Sequence, residues 1–155
     1  MRRLILFAAA AALVLAAGTL LVGCQGGQAK APPGVTDNEV VIGFSMVMSG
    51  PLGFLGSSAA KDTQACFNKY NDEGGIHGRK LRLITYDSTL EVAQDLANYR
   101  KLIFEDKVFA CMWGMWTSVQ AAYPLMEQNG VPWLFTMGPP STAIFPARKY
   151  LFNLF

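Results

Sequence analysis

Short β-branched runs alternate with longer amphipathic stretches along most of this chain, and that alternation restricts the fold more than any other feature. Residues 39–46 (EVVIGFSM) read as a strand. After the Ser49-Gly50-Pro51 loop, with Gly53 and Gly56 in it, a helix capped by Ser57 or Ser58 is predicted to run to about Asn71. Its apolar face is Ala59, Thr63, Cys66, Phe67 and Tyr70, and Gly74-Gly75 ends it. Residues 80–86 (KLRLITY) alternate as a second strand. Ser88 and Glu91 then match a capping box, opening a helix to about Glu105 with Val92, Leu96, Tyr99, Leu102 and Ile103 as its buried stripe. Residues 108–113 (VFACMW) are almost wholly apolar, as a strand buried on both faces should be. A third helix from Thr117 or Ser118 to about Gly130, a strand over 131–136 and another over 150–155 complete the pattern. Strand-helix alternation with crossover-length helices implies an α/β fold: a parallel sheet with helices on both faces. Ligands in such sheets meet the carboxyl ends of the strands, here 48–56, 87–89, 114–118 and 136–142.

The first residues carry a different message. Arg2 and Arg3 precede an uncharged apolar run from Leu4 to Val22, and Gly23-Cys24 follows. Positive flank, apolar stretch and small residues at the cut are the order of a secretory signal, expected over 1–23. A permanent transmembrane helix is the competing reading, since the run is near spanning length. Cys24 at the first mature position resembles the bacterial lipobox, which implies a lipid on its thiol and attachment to a membrane without spanning it. Residues 24–36 are rich in Gly, Ala, Gln and Pro and are expected to form a flexible tether. That leaves 37–155 for one modest domain.

Charge and titratable residues exclude several functions. Without Arg2 and Arg3, the remaining 11 Lys and Arg balance 11 Asp and Glu, so there is no basic field for nucleic acid. His77 is the single histidine, and no Cys-x-x-Cys occurs, so no metal or other cofactor is expected. No Gly-x-Ser-x-Gly elbow or phosphate loop is present, and Asp87 and Glu91 are better explained by a turn and a cap than by acid–base work. An enzyme is therefore not expected. Cys66 and Cys111 both fall on apolar faces; a disulfide and a pair of buried free thiols are the two alternatives.

Two segments carry a resemblance: GVTDNEVVIGFSMVMSGPLGFLG and FNKYNDEGGIHGRKLRLITYDS, with Gln128-Asn129-Gly130-Val131-Pro132 in support. They resemble the substrate-binding lipoproteins of branched-chain amino acid ABC importers, in the type I periplasmic binding protein family. The resemblance implies two α/β lobes that close on a small ligand and hand it to an ABC permease. The chain matches only the first part of the first lobe. It also stops at Phe155 inside an apparent strand, so 37–155 is expected to be a partial N-terminal lobe.

The resemblance also implies a site. Ser118 matches the hydroxyl that binds the ligand carboxylate, Ser141 a second hydroxyl, and Pro139 the carbonyl that accepts from the ligand ammonium. Leu55 stands where relatives carry an aromatic, with Phe54 beside it as a substitute, and Trp116 is expected to line the cleft. The expected function is capture of a small amino acid, amide or related metabolite at the cell envelope, the periplasm in a two-membrane cell. The alternatives are the extracellular domain of a sensor, or a fragment that binds nothing.

Overall fold

The computed structural model describes residues 31–135 and 145–153. Signal, lipidation site and most of the tether, including Cys24, lie outside the described residues, as do Pro139 and Ser141. The elements are β1 (Glu39–Met46), α1 (Gly53–Asp72), β2 (Lys80–Asp87), α2 (Val92–Phe104), β3 (Ala110–Met112), α3 (Val119–Asn129), β4 (Trp133–Phe135) and β5 (Leu151–Asn153). All pairings are parallel, in the order β2-β1-β3-β4-β5. The α/β class and the crossovers therefore hold.

Alternation along β1 decides what lies on each face. Ile42, Phe44 and Met46 point to one side, where they pack with Ala59, Ala60 and Phe67 of α1 and with Ala110. Val41 points to the other, into the cluster of Tyr99 and Leu102 from α2, Val119, Tyr123 and Met126 from α3, and Cys111, Trp133 and Phe135. Helices thus cover both faces. The sheet also separates the two cysteines: Cys66 is exposed on α1, Cys111 is buried on the α2 side, and both thiols are free. The disulfide reading fails on that geometry, and the alternative of two buried thiols holds only for Cys111.

Two helix starts differ from expectation. α1 begins at Gly53, four residues before Ser57, whose hydroxyl instead donates to the Met48 carbonyl at 3.2 Å. The helix takes in Gly53 and Gly56 because its first turn presses on the backbone that leaves β1. The capping box at Ser88 does not form. Thr89 and Leu90 adopt φ of 52° and 67°, which carries Ser88 into the interior and leaves Glu91 as the residue before α2, without a side-chain cap. On α2, Asp95 and Asn98 join Tyr99, Leu102 and Ile103 in the buried stripe, while Val92 and Leu96 are only half-buried. Packing also begins before the expected end of the tether: the Val41 N–H donates to the Gly34 carbonyl at 2.8 Å.

The Asn71-Asp72-Glu73-Gly74-Gly75 segment has a structural duty. Asn71 Nδ2 donates to the Leu81 carbonyl at 2.9 Å, and the Leu81 N–H donates to Asn71 Oδ1 at 2.7 Å. One side chain thus imitates a strand partner for β2, an edge strand. Asn71→Ala leaves both groups of Leu81 unpaired, and is expected to lower unfolding free energy by about 1–2 kcal/mol in urea titration.

Candidate functional site

The chain leaves β1 for β2 on one side and returns to β3 on the other, so the sheet changes direction between β1 and β3. Loops diverge at such a point, and the crevice between them is where open α/β sheets hold ligands. Here the walls are the β1–α1 connection, 47–52, and the β3–α3 connection, 113–118.

The first wall is held by Asp87 at the end of β2. Its Oδ1 accepts from the Met48 and Thr89 N–H groups, both at 2.8 Å. Partial burial pushes the acid up, but the Ser49 hydroxyl and the N–H groups of Met48, Thr89 and Ser49 draw it lower still, below its ordinary 3.8. Pro51, Leu52 and Leu90 help to line a cavity of about 320 Å³ between the β1–α1 and β2–α2 connections, on the β2 side of the first wall. Phe54 follows in the first turn of α1 and is 63% exposed, whereas Leu55 is half-buried against the β1–α1 cluster.

The second wall is shaped by Trp113 and Gly114. Trp113 takes a φ of 62° and Gly114 one of 151°. A Cβ on Gly114 would lie 2.7 Å from Trp133 Cζ2 and 2.8 Å from the Tyr99 hydroxyl, so only glycine lets the loop pass over these rings. Trp133 Nε1 donates to the Trp113 carbonyl at 2.5 Å and ties the loop to β4. The chain then turns outward: Trp116 is 41% exposed and Thr117 is exposed beside it. Ser118 turns back inward and is 1% exposed. It precedes α3 in the capping position, but its hydroxyl makes no capping bond.

Beneath this loop lies a polar cluster that the sequence reading did not anticipate. Ser45 of β1 donates its hydroxyl to Asp95 Oδ1 at 2.5 Å, and Asn98 Nδ2 donates to Ser45 Oγ at 3.1 Å and to the Asp87 carbonyl at 2.9 Å. Burial raises the Asp95 acid above its ordinary range; the hydroxyls of Ser45 and Ser118 and the Met115 N–H partly offset this. The available signal was periodicity, since 95, 98, 99 and 102 share a helical face.

Of the residues expected at the site, Phe54 is exposed in the first turn of α1 and Trp116 on the β3–α3 loop, Leu55 is half-buried beside Phe54 in α1, and Ser118 is buried at the end of the second wall. Pro139 and Ser141 lie outside the described residues. Among the described residues, no group of three His, Cys, Asp or Glu is placed to hold a metal ion, and no helix is long and apolar enough to cross a membrane.

Residues 39–155 match the family described as periplasmic binding protein. A Leu/Ile/Val-binding protein homolog 7 from Brucella abortus is 32% identical over 113 residues, covering 72% of this chain and 27% of that protein. Among solved structures, a branched-chain amino acid transporter substrate-binding protein from Streptococcus pneumoniae, in complex with isoleucine, aligns with a TM-score of 0.64 and 26% identity, over 75% of this chain and 33% of that one. A fatty acid ABC transporter substrate-binding protein from Thermomonospora curvata aligns with a TM-score of 0.68 and 23% identity, over 79% of this chain and 30% of that one. The chain therefore spans about a quarter to a third of the length of these proteins.

Proposed function

The chain belongs to the periplasmic binding protein family, and we propose that it serves as the solute-binding component of an ABC importer. The solute is a small amino acid, an amide or a related polar metabolite, and the partner that receives it is the importer's permease. Binding rather than catalysis is the activity. The segment 1–23 directs secretion, Cys24 carries the lipid, and the residues between Cys24 and Gly34 tether the first lobe at the cell envelope.

The main support is the crevice at the β1/β3 switch point, with exposed aromatic side chains on the two connections that leave it, one in the first turn of α1 and one on the β3–α3 loop. Phe54 and Trp116 are large apolar groups left uncovered at the strand ends, whereas Trp133 and Phe44 are fully buried in the core. An aromatic at such a place covers the apolar part of a solute at low entropic cost. Leu55 and Ser118 belong to the same proposed site, and Pro139 and Ser141, which lie outside the described residues, are proposed to complete it.

Calorimetry of the intact gene product against a panel of amino acids, amides and small acids tests this reading. One solute is expected to saturate a single site, and Trp116→Ala is expected to weaken it about tenfold, the scale of a buried aromatic contact. No saturable heat across the panel, or an unchanged dissociation constant for the variant, would contradict it.

A further inference from the structure

The β3–α3 wall of the crevice turns on two residues whose backbone angles local preference does not set. Trp113 adopts a φ of 62°, a region that a bulky side chain rarely enters, and Gly114 follows at 151°. Tryptophan disfavours its own angle, and glycine accepts many others as readily. Such a turn persists only where the surrounding structure holds it. The peptide between the two residues can rotate unless something beyond the turn fixes its carbonyl.

The surroundings act from both faces of the sheet. On the α1 face, the Trp113 ring meets Phe44 at 6.2 Å between centroids and packs with Met115 in the cluster of Met46 and Val47. The Trp113 N–H donates to the Leu134 carbonyl at 3.0 Å, so the chain is still paired with β4 as it enters the turn. On the opposite face, the fully buried Trp133 donates Nε1 to the Trp113 carbonyl at 2.5 Å, and its ring lies under Gly114. Past the turn, the Ser118 N–H donates to the Met115 carbonyl at 2.9 Å, which closes 115–118 with Trp116 exposed. The direction of that exposed turn is decided at 113–114.

Resting on the capture reading above, we infer that Trp133 is a positioning residue for the solute site: its indole N–H fixes the 113–114 peptide and so presets the wall that carries Trp116 before a solute arrives. Trp133 acts from beneath the wall and not by contact with solute. It removes the peptide orientations that glycine would otherwise allow, so the loop is ordered in folding and not at the cost of binding. Without the donor, the Trp113 and Met115 side chains stay seated, but the wall exchanges between orientations and only a fraction of molecules is competent to bind.

Relaxation-dispersion NMR of the intact gene product tests the fixing without any solute. The parent amides of 114–118 are expected to report one state. Trp133→Phe, which keeps a ring in the core and lacks the donor, should bring millisecond exchange to 114–118. A benzothiophene analogue of tryptophan at 133, with sulfur in place of the N–H, should do the same with the ring outline kept. A fluorotryptophan at 133 keeps the donor and should behave as the parent. Phe67→Leu, a core change on α1, should lower stability without exchange at 114–118. Unchanged 114–118 amides in both donor-free proteins overturn the inference, and the analogue decides it alone should Trp133→Phe not fold.

Calorimetry with L-leucine reads the consequence. Both donor-free proteins are expected to bind it about tenfold more weakly than the parent, the scale of one lost hydrogen bond, whereas fluorotryptophan at 133 and Phe67→Leu keep the parent affinity. Parent affinity in the donor-free proteins, or an equal loss in Phe67→Leu, overturns the positioning role. A parent that binds no L-leucine contradicts the capture reading for this solute and the positioning role with it; the exchange at 114–118 then decides on its own whether Trp133 holds the peptide.

Discussion

Trp133→Ala is expected to lower the free energy of unfolding by about 3–5 kcal/mol, the range for deleting a large buried aromatic. Trp133 is fully buried and meets Tyr99 edge-on at 5.0 Å and Phe135 at 5.5 Å between ring centroids. Its Nε1 donates to the Trp113 carbonyl, and its ring fills the space under Gly114. Alanine opens a cavity between rings of α2 and β4, and it leaves the Trp113 carbonyl without its donor. A domain of this size commonly holds about 5–15 kcal/mol in total, so the variant should be near its unfolding midpoint at modest urea. Circular dichroism in urea measures the effect. Trp133→Phe should lose less, because it keeps a ring in the cavity and forfeits mainly the hydrogen bond. A loss below about 1 kcal/mol for the alanine variant would mean that the loop and the β4 core are not coupled in this way.

Gly56→Ala is expected to destabilise by about 2–3 kcal/mol, against the usual sign. Alanine normally improves a helix by up to about 1 kcal/mol over glycine. Here a Cβ would stand 2.1 Å from the Val47 carbonyl oxygen and 2.8 Å from its carbon, both backbone atoms with no rotamer to yield. The Gly56 N–H also donates to that carbonyl at 3.0 Å, so the first turn of α1 is fastened to the end of β1 at this point. Lifting the helix to make room would move Phe54 and Leu55 on the first wall of the crevice. The clash outweighs the propensity gain because neither side can relax cheaply. Thermal and urea unfolding decide the sign; a variant as stable as the parent would show that α1 is not seated on Val47.

The elements themselves were legible because each rests on a local period. The run from Val41 to Met46 reads as a strand on either face, and Phe67, Tyr99 and Leu102 fall on helical stripes that the fold buries. Boundaries were less legible where a distant backbone overrides local preference. Gly53 and Gly56 look like loop until the Val47 and Met48 carbonyls arrive beside them. Ser88 and Glu91 have the spacing of a cap, yet two left-handed residues between them redirect the chain. The exposed candidates, Phe54 and Trp116, followed from strand-end position and from the family resemblance. Ser118 fits the same pattern, but it is buried at the end of its loop, and no local pattern around Ser118 predicts that. Asp95 and Asn98 were not singled out in the sequence, although both occupy core positions of α2.

The central claim is that solute is captured where β1 and β3 part, at the carboxyl ends of the strands. Amide chemical-shift mapping of the intact gene product, titrated with the solute that calorimetry selects, tests it most directly. The account predicts saturable shifts concentrated in 48–56 and 114–118, with little change at 34–36 and 107–109 on the opposite end of the sheet. Shifts concentrated at that opposite end instead would contradict it.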